Sequence, residues 1–401
     1  MGRRTFLALF AAPLVAAEDR CPVRIDPDGM LRIAGTRKFM VGLYQLPNRA
    51  QSWAEAARAG FNLVRVAPQP EQLDIARAHG MYAWTGLGSI SPDRTSETEA
   101  RIRKMVQALK DKPALLFWET EDEPTYVWRK PDQVRIPPED IIATRDFVRR
   151  IDPERPFYLN HSPTNLVSTL QRYNPGTDII ATDIYPVVPH GIREMFALWP
   201  DGQQGDFLNR EISQVGQYAD KMRRVAGPSR TVLLVLQAFA WENFRKQDRN
   251  PAMVLYPNRS QLRFMTYQAI AHGVNGVLYY GLSSTPADAG VWTDLKSVAS
   301  ELSQLKEELA APTEQVRIWL QYHETGHSLD RGIESIMKPS RNGAVLVAVN
   351  ADKNPVDVSL SGLDRFRRCE VLFEPRQITF AEGVFRDSFA PFQARVYRLM
   401  A

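Results

Sequence analysis

Four carboxylates crowd into five positions directly after an apolar run: Ala114 to Trp118 leads into Glu119, Thr120, Glu121, Asp122, Glu123 and then Pro124. A carboxylate loses too much solvation inside a protein to stand there for packing unless it is paired. Acids gathered where a strand leaves a core can be held in a pocket and tuned, which is the placement general acid–base chemistry needs.

Those acids need elements to hold them. Strand candidates cover 39–46, 61–66, 81–88, 114–119, 156–160, 178–184, 231–239 and 276–282. Helical patterns fall between them at 53–59, 70–78, 98–109, 138–150, 165–173, 209–225 and 260–272, with a last one at 295–309. Gly60, Gly80, Gly176, Gly227 and Gly273 each stand just after a helix, where a left-handed cap is expected. The strands are apolar runs without clean alternation, as in a parallel sheet covered on both faces. Eight strand–helix pairs over roughly 270 residues predict an α/β fold, a closed (β/α)8 TIM barrel. A doubly wound open sheet fits less well, because Tyr44-Gln45-Leu46-Pro47 follows the first strand in place of a glycine-rich phosphate loop. A hairpin precedes the barrel, with strands at 23–25 and 31–33 around Pro27-Asp28-Gly29. After Pro312 short strands at 315–322, 343–350, 356–360, 369–373, 378–380 and 394–399 predict a C-terminal antiparallel β-sandwich. The expected division is a signal peptide over 1–17, the barrel with its hairpin over 18–312, and the sandwich domain over 313–401.

The whole chain narrows the function classes. Its 401 residues are 44% hydrophobic and 24% charged, with a formal net charge of +4. No Lys/Arg-rich run with interleaved aromatics is present, so nucleic-acid binding has no support. Gly2-Arg3-Arg4, the apolar stretch 5–17 and the small residues Val15-Ala16-Ala17 make a signal peptide too short to span a bilayer. Arg3-Arg4-Thr5-Phe6-Leu7 also has the look of a twin-arginine signal; a general secretory signal is the equal alternative. Either route implies export to the periplasm or beyond, with no membrane span. Cys21 and Cys369 are the two cysteines; export permits a disulfide between them, and two unpaired thiols are the equal alternative.

In such a barrel the site lies at the carboxyl ends of the strands. Standing there are Tyr44 on the first strand, Arg65 on the second, Trp84 on the third, and Asp122 and Glu123 after the fourth. The fifth brings Asn160 and His161, the sixth Asp183 and Tyr185, the seventh Gln237 followed by Trp241 and Glu242, and the eighth Tyr280. Acids, amides and aromatics around one pocket suit an oligo- or polysaccharide, whose C–H faces cover aromatic rings and whose hydroxyls bind polar groups. The histidines, among them His161, His190 and His272, lack ligand spacing, so no metal site and no cofactor is expected. Trp84, Trp118 and Trp241 could serve as sugar platforms or simply as packing. The segment 187–207 could wall the cleft.

Two motifs bring a family into view. Gly60-Phe61-Asn62-Leu63-Val64-Arg65-Val66 resembles the second strand of clan A glycoside hydrolases, the family 5 type in particular. Asp122-Glu123-Pro124 resembles that clan's Asn-Glu-Pro at the end of strand four, with Asp in place of Asn. The resemblance implies that Glu123 is the general acid/base that protonates the leaving glycosidic oxygen. It implies that Asp122 stands where an Asn binds the sugar 2-hydroxyl, and that Arg65 orients the nucleophile. A loop acid beside Pro124 is the plainer reading of Glu123, and an ion pair to Glu119 or Glu121 the plainer reading of Arg65.

The sequence departs from that clan at one point. The family's nucleophilic Glu ends strand seven, where this chain has Gln237, and a neutral amide cannot replace a carboxylate in that role. Three explanations stay open. Glu242 folds back as the nucleophile, or stands exposed in a loop with Arg245 and Arg249. Asp183 acts as nucleophile or base, or binds a sugar hydroxyl. Or the barrel binds glycans without cleaving them. A polysaccharide lyase, with His161 as base, is a further alternative. The expected function is hydrolysis of a β-linked glycan, with Glu123 as proton donor.

Overall fold

The computed structural model describes residues 22–401 apart from 92–94, 128–129, 131–132, 190–208, 246, 287–288, 324–325 and 327. The expected leader over 1–17, Cys21, His190 and most of the segment 187–207 therefore lie outside the described residues. Cys369 is half-buried, and burial pushes its thiol up to about 12.

A three-stranded antiparallel sheet comes first: β1 (Val23–Ile25), β2 (Leu31–Ile33) and β3 (Thr36–Lys38). The sequence gives a hairpin; β3 is the added strand, too short and polar to announce itself. The eight parallel strands that follow close into a barrel. They are β4 (Met40–Leu43), β5 (Leu63–Arg65), β6 (Tyr82–Gly86), β7 (Leu115–Asp122), β8 (Phe157–His161), β9 (Ile179–Ile184), β10 (Thr231–Gln237) and β11 (Gly276–Tyr280). Between and after them run α1 (Ser52–Ala59), α2 (Pro70–Ala78), α3 (Thr95–Leu109), α4 (Pro138–Arg149), α5 (Val167–Gln171), α6 (Gln214–Ala226), α7 (Arg259–Ala271), α8 (Val291–Gln304) and α9 (Lys306–Ala310). Gly60 ends α1 at φ +99, as a left-handed cap requires. Gly176 is different from expectation: its φ is not positive, and a Cβ there would lie 2.8 Å from Ile141, so close helix packing is what needs the glycine.

Two cores divide the barrel. One apolar layer lies between strands and helices. The other fills the cylinder with Met40, Leu63, Trp84, Phe117, Tyr158, Ile179, Leu233 and Leu278. Leu31 and Ile33 of β2 belong to this inner cluster and close the cylinder at the amino ends of its strands. Two bonds pin them there, from Thr231 Oγ1 to Gly29 O at 2.7 Å and from Asn275 Nδ2 to Asp28 O at 3.1 Å.

The C-terminal residues form two four-stranded antiparallel sheets. One has the order β12 (Trp319–His323), β15 (Val356–Ser361), β18 (Val384–Phe389), β17 (Phe380–Ala381); the other has β13 (Ile333–Ser340), β14 (Gly343–Asn350), β19 (Ala394–Met400), β16 (Arg368–Leu372). Strands β13 and β18 are missing from the sequence reading. Pro339 disguises β13, which tolerates it as an edge strand. Charged Arg386 and Asp387 disguise β18, although Phe385 and Phe389 face inward. No described helix is long and apolar enough to cross a membrane.

His272, just after α7, ties the two parts together. Its ring lies 2.9 Å from Asp220 of α6 and 3.0 Å from Glu334 of β13. Burial opposes the charged ring, but Asp220 and Glu334 outweigh it and raise the pKa to about 9. A raised histidine stabilises fully below its unfolded pKa of about 6.5 and ceases to as pH rises through the folded value. Because Asp220 is exposed, the effect is discounted to about 1–2 kcal/mol. Urea midpoints are therefore expected to fall between pH of about 7 and about 10 in the native protein, and to stay flatter over that window in His272→Gln.

Candidate active site

Strand β7 brings the acids to the mouth, and it does so through an irregularity. Glu119 pairs with Tyr158 of β8, but the next paired residue is Asp122, opposite Asn160. The extra residues bulge outward, and Glu121 there accepts from Ser89 at 2.8 Å and pairs with Arg135 at 3.3 Å. Bulges of this kind re-aim side chains beside sites. Glu123 then turns with φ +43, a left-handed conformation that a non-glycine residue rarely holds without support. The support is a bond from its amide to Asn160 O at 2.9 Å, and Arg135 binds the Asp122 carbonyl from outside.

Asn160 sits at the centre. Its Nδ2 donates to Asp122 at 2.9 Å and to Asp183 at 3.1 Å, bridging the ends of β7 and β9. Glu123 and Asp183 lie close enough to shift each other's titration. Burial raises the Glu123 carboxyl well above its usual range, Asp183 and Asp122 add to this, and Arg135 opposes it. Burial and the charge of Asp122 push Asp183 up to about 7, while the bond from Asn160 and the neighbouring Glu123 hold it down. Two neighbouring buried carboxyls do not both ionise readily, and the direction of the shifts leaves the proton on Glu123.

A second charged layer lies deeper. Glu119, 1% exposed, accepts from Arg65 Nε at 2.6 Å and from Trp84 Nε1 at 3.2 Å. Burial pushes it up to about 7, with Asp122 adding and Arg65 opposing. Its other oxygen, Oε1, has no partner among the described residues. Of the two readings of Arg65, the ion pair to Glu119 is the one seen here. Tyr44 and Tyr158 join their hydroxyls at 2.5 Å beside this pair.

One wall is aromatic. Tyr280 stacks on Tyr185 (5.7 Å, 24°) and on Phe244 (6.1 Å, 16°), with Phe239 packed edge-on among them. Trp241 is half-buried and donates its Nε1 to Tyr185 O at 3.2 Å. The charges of Asp122, Asp183 and Glu123 all reach Tyr280 and Tyr185, so this wall borders the acids.

The structure thus brings together Tyr44, Arg65, Asp122, Glu123, Asn160, Asp183, Tyr185 and Tyr280, with Trp241 behind the wall. Five expectations need correction. His161 points between barrel and helices, edge-on to Tyr173 at 5.8 Å, because it neighbours the inward Asn160 and adjacent strand residues face opposite ways. Burial pulls it down to about 3, so it is a neutral core residue and no base at the mouth. Gln237 is wholly buried; its Oε1 accepts from Val187 N at 2.8 Å and its Nε2 donates to Val187 O and Phe239 O, which leaves no amide group for a sugar. Glu242 is neither nucleophile nor exposed: it is buried in a 3-10 turn, where it accepts from Asn250 N at 2.5 Å and faces Arg245 at 3.8 Å. Trp84 is fully buried among Tyr44, Phe117 and Tyr158, so its face is not a sugar platform. Trp118 likewise packs on the outside of β7, where it donates to Asp152 at 2.9 Å. Among the described residues no cluster of His, Cys, Asp and Glu could hold a metal ion.

The sequence reading missed the central place of Glu119 and the parts of Tyr158, Arg135 and Phe244. Glu119 had a signal: it keeps the parity of Phe117, which fills the cylinder.

No protein-family model matches the chain, and no curated protein matches it. Solved structures do. A glycoside hydrolase is 14% identical and superposes with a TM-score of 0.63, covering 95% of this chain and 97% of that one. A glycoside hydrolase family 5 protein from Bacteroides vulgatus is 11% identical with a TM-score of 0.59, covering 94% and 93%. An α-amylase from Geobacillus thermoleovorans, complexed with acarbose, is 10% identical with a TM-score of 0.55, covering 90% and 98%. The chain therefore shares the barrel-plus-sandwich fold of such enzymes over almost its whole length.

Proposed function

We propose that the chain is an exported glycoside hydrolase that cleaves a β-linked glycan, with Glu123 as proton donor and Asp183 as the second carboxylate. The observation that carries this reading is the Glu123–Asp183 pair at the open end of the barrel, in which Glu123 holds a proton beside an anionic partner. The family resemblance at Arg65 and at Asp122-Glu123-Pro124 supports the β-linkage.

The Glu123 and Asp183 carboxyls interact directly across the mouth. In this reading a sugar wedges between them. The glycosidic oxygen accepts the Glu123 proton, and the Asp183 carboxylate faces the developing positive charge at the anomeric carbon. Asn160 keeps Asp183 oriented during the exchange. Tyr185, Tyr280 and Phe244 offer ring faces to the sugar.

Aryl glycosides of several sugars test the reading, since release of the phenol requires cleavage. The pH profile adds a sign. Asp183 must be ionised and Glu123 protonated, so kcat/KM is expected to fall as pH drops below about 7, where Asp183 takes up a proton. It should fall again on the alkaline side as Glu123 loses its own. A rate that stays level from pH of about 7 down to about 5 would remove Asp183 from the mechanism.

Gln237 favours a second reading, a barrel that binds glycans without cleaving them, because its amide is consumed by backbone and strand β10 offers no carboxylate. Binding without release across the same glycosides would select it.

A further inference from the structure

At the end of the barrel opposite the acids, a cleft of about 430 Å³ lies where α6, β10 and β11 meet the linker into the second domain. Its charged lining is mostly basic: Arg223, Arg230 and Lys338 against a single carboxylate, Asp28. Asp28 is already held by Arg37, at 2.5 Å and 3.1 Å. The bonds that the three cations make among the described residues run to backbone carbonyls. Arg223 donates to Gly273 O at 2.9 Å and His272 O at 3.3 Å; Arg230 donates to Ala226 O, Asn174 O and Thr177 O. Lys338 donates to Ala311 O at 3.0 Å.

Lys338 is the informative member. It is 6% exposed. An ammonium carries three donors, and one of them is used. Burial pulls its pKa down to about 8, Arg37 and Arg223 repel it further, and Asp28 offsets part of this. A buried cation without a paired anion is costly, so buried charges are normally matched. Helix-end carbonyls supply only partial negative charge. A neutral side chain could satisfy Ala311 O equally well, so packing alone does not call for a lysine.

We propose that this cleft binds an oxyanion, a phosphate, sulfate or carboxylate group, with Lys338 and Arg223 as its principal ligands and Arg230 beside them. The volume exceeds a lone ion and matches the lower range of small-molecule pockets, which suits an anion carried on a sugar-sized molecule. The cleft opens past Arg223, Gly273, Thr313 and Gln315 into a groove of about 820 Å³, so such a molecule has a path in. The inference does not depend on the chemistry proposed for the mouth.

The test is a thermal-shift and calorimetric titration of the full chain at about pH 7, where Lys338 is charged, with chloride at matched ionic strength as reference. Inorganic phosphate, sulfate, glucuronate and glucose 6-phosphate are the probes. At least one is expected to raise the melting temperature beyond chloride, because a ligand of the folded state stabilises it. Sugar-borne anions acting alone would assign the site to a charged sugar, and inorganic ions acting alone to the free anion. Lys338→Met and Lys338→Gln should weaken the binding about 10- to 100-fold, the worth of one charge-assisted hydrogen bond. Lys338→Gln keeps a donor for Ala311 O and guards against loss of fold. If no probe exceeds chloride, or if both variants bind as tightly as the native chain, the proposal fails.

Discussion

Glu123→Gln should lower kcat on a natural glycan by about 10²–10⁴-fold, the usual worth of a positioned proton donor. The amide has the shape of the protonated acid and can still donate a hydrogen bond, so the mouth keeps its geometry. It cannot give up a proton to a departing alcohol. The loss should shrink sharply on aryl glycosides whose phenolate leaves without protonation. That dependence on leaving group separates an acid from a residue that merely holds the loop, for which both substrates would suffer alike. Full turnover by Glu123→Gln on a glycan that the native protein cleaves would refute the assignment.

The largest effect on stability is expected at Asp152. This carboxylate is buried behind β7, where it pairs with buried Arg155 and accepts from Trp118 Nε1 at 2.9 Å. Arg155 in turn donates to Leu115 O at 3.0 Å, so the cluster braces the strand that carries Glu123. Asp152→Ala strands a guanidinium away from water, and breaking such a pair costs about 3–5 kcal/mol. Asp152→Asn restores an acceptor for Trp118 but no charge, and should recover only part of the loss. Urea unfolding followed by tryptophan fluorescence measures both. A midpoint within error of native for Asp152→Ala would show that Arg155 reaches water without difficulty.

The barrel was legible because its strands are continuous apolar runs and its helices carry a different period. Glycines such as Gly60 and Gly273 punctuated the joins. The sandwich was only half legible, since Pro339 and the Arg386-Asp387 pair hide two strands whose inward faces are apolar. At the mouth, strand ends told which residues stand near the rim but not which way they face. His161 and Asn160 are neighbours, so parity allowed one of them inward, and the choice needed coordinates. Gln237 shares the inward parity of Leu233 and Val235, yet the exit of β9 folds over it and consumes its amide. No local pattern announces the irregularity after Glu119 that turns Asp122 and Glu123 toward Asp183, because it arises from pairing with β8. Glu242 had neighbours of the expected charge, but its burial depends on how the loop closes on Asn250.

The stopper formed by Leu31 and Ile33 bears on how this chain is made. Both leave the ribosome early, yet their anchors Thr231 and Asn275 emerge some 200 and 247 residues later than Gly29 and Asp28. Until then these two side chains have only part of their apolar cluster, and the cylinder stays unsealed. Such long-range closure is slow and exposes the nascent polypeptide to mispairing. Slow, late sealing of the cylinder follows from that keystone, whatever the acids at the other end do.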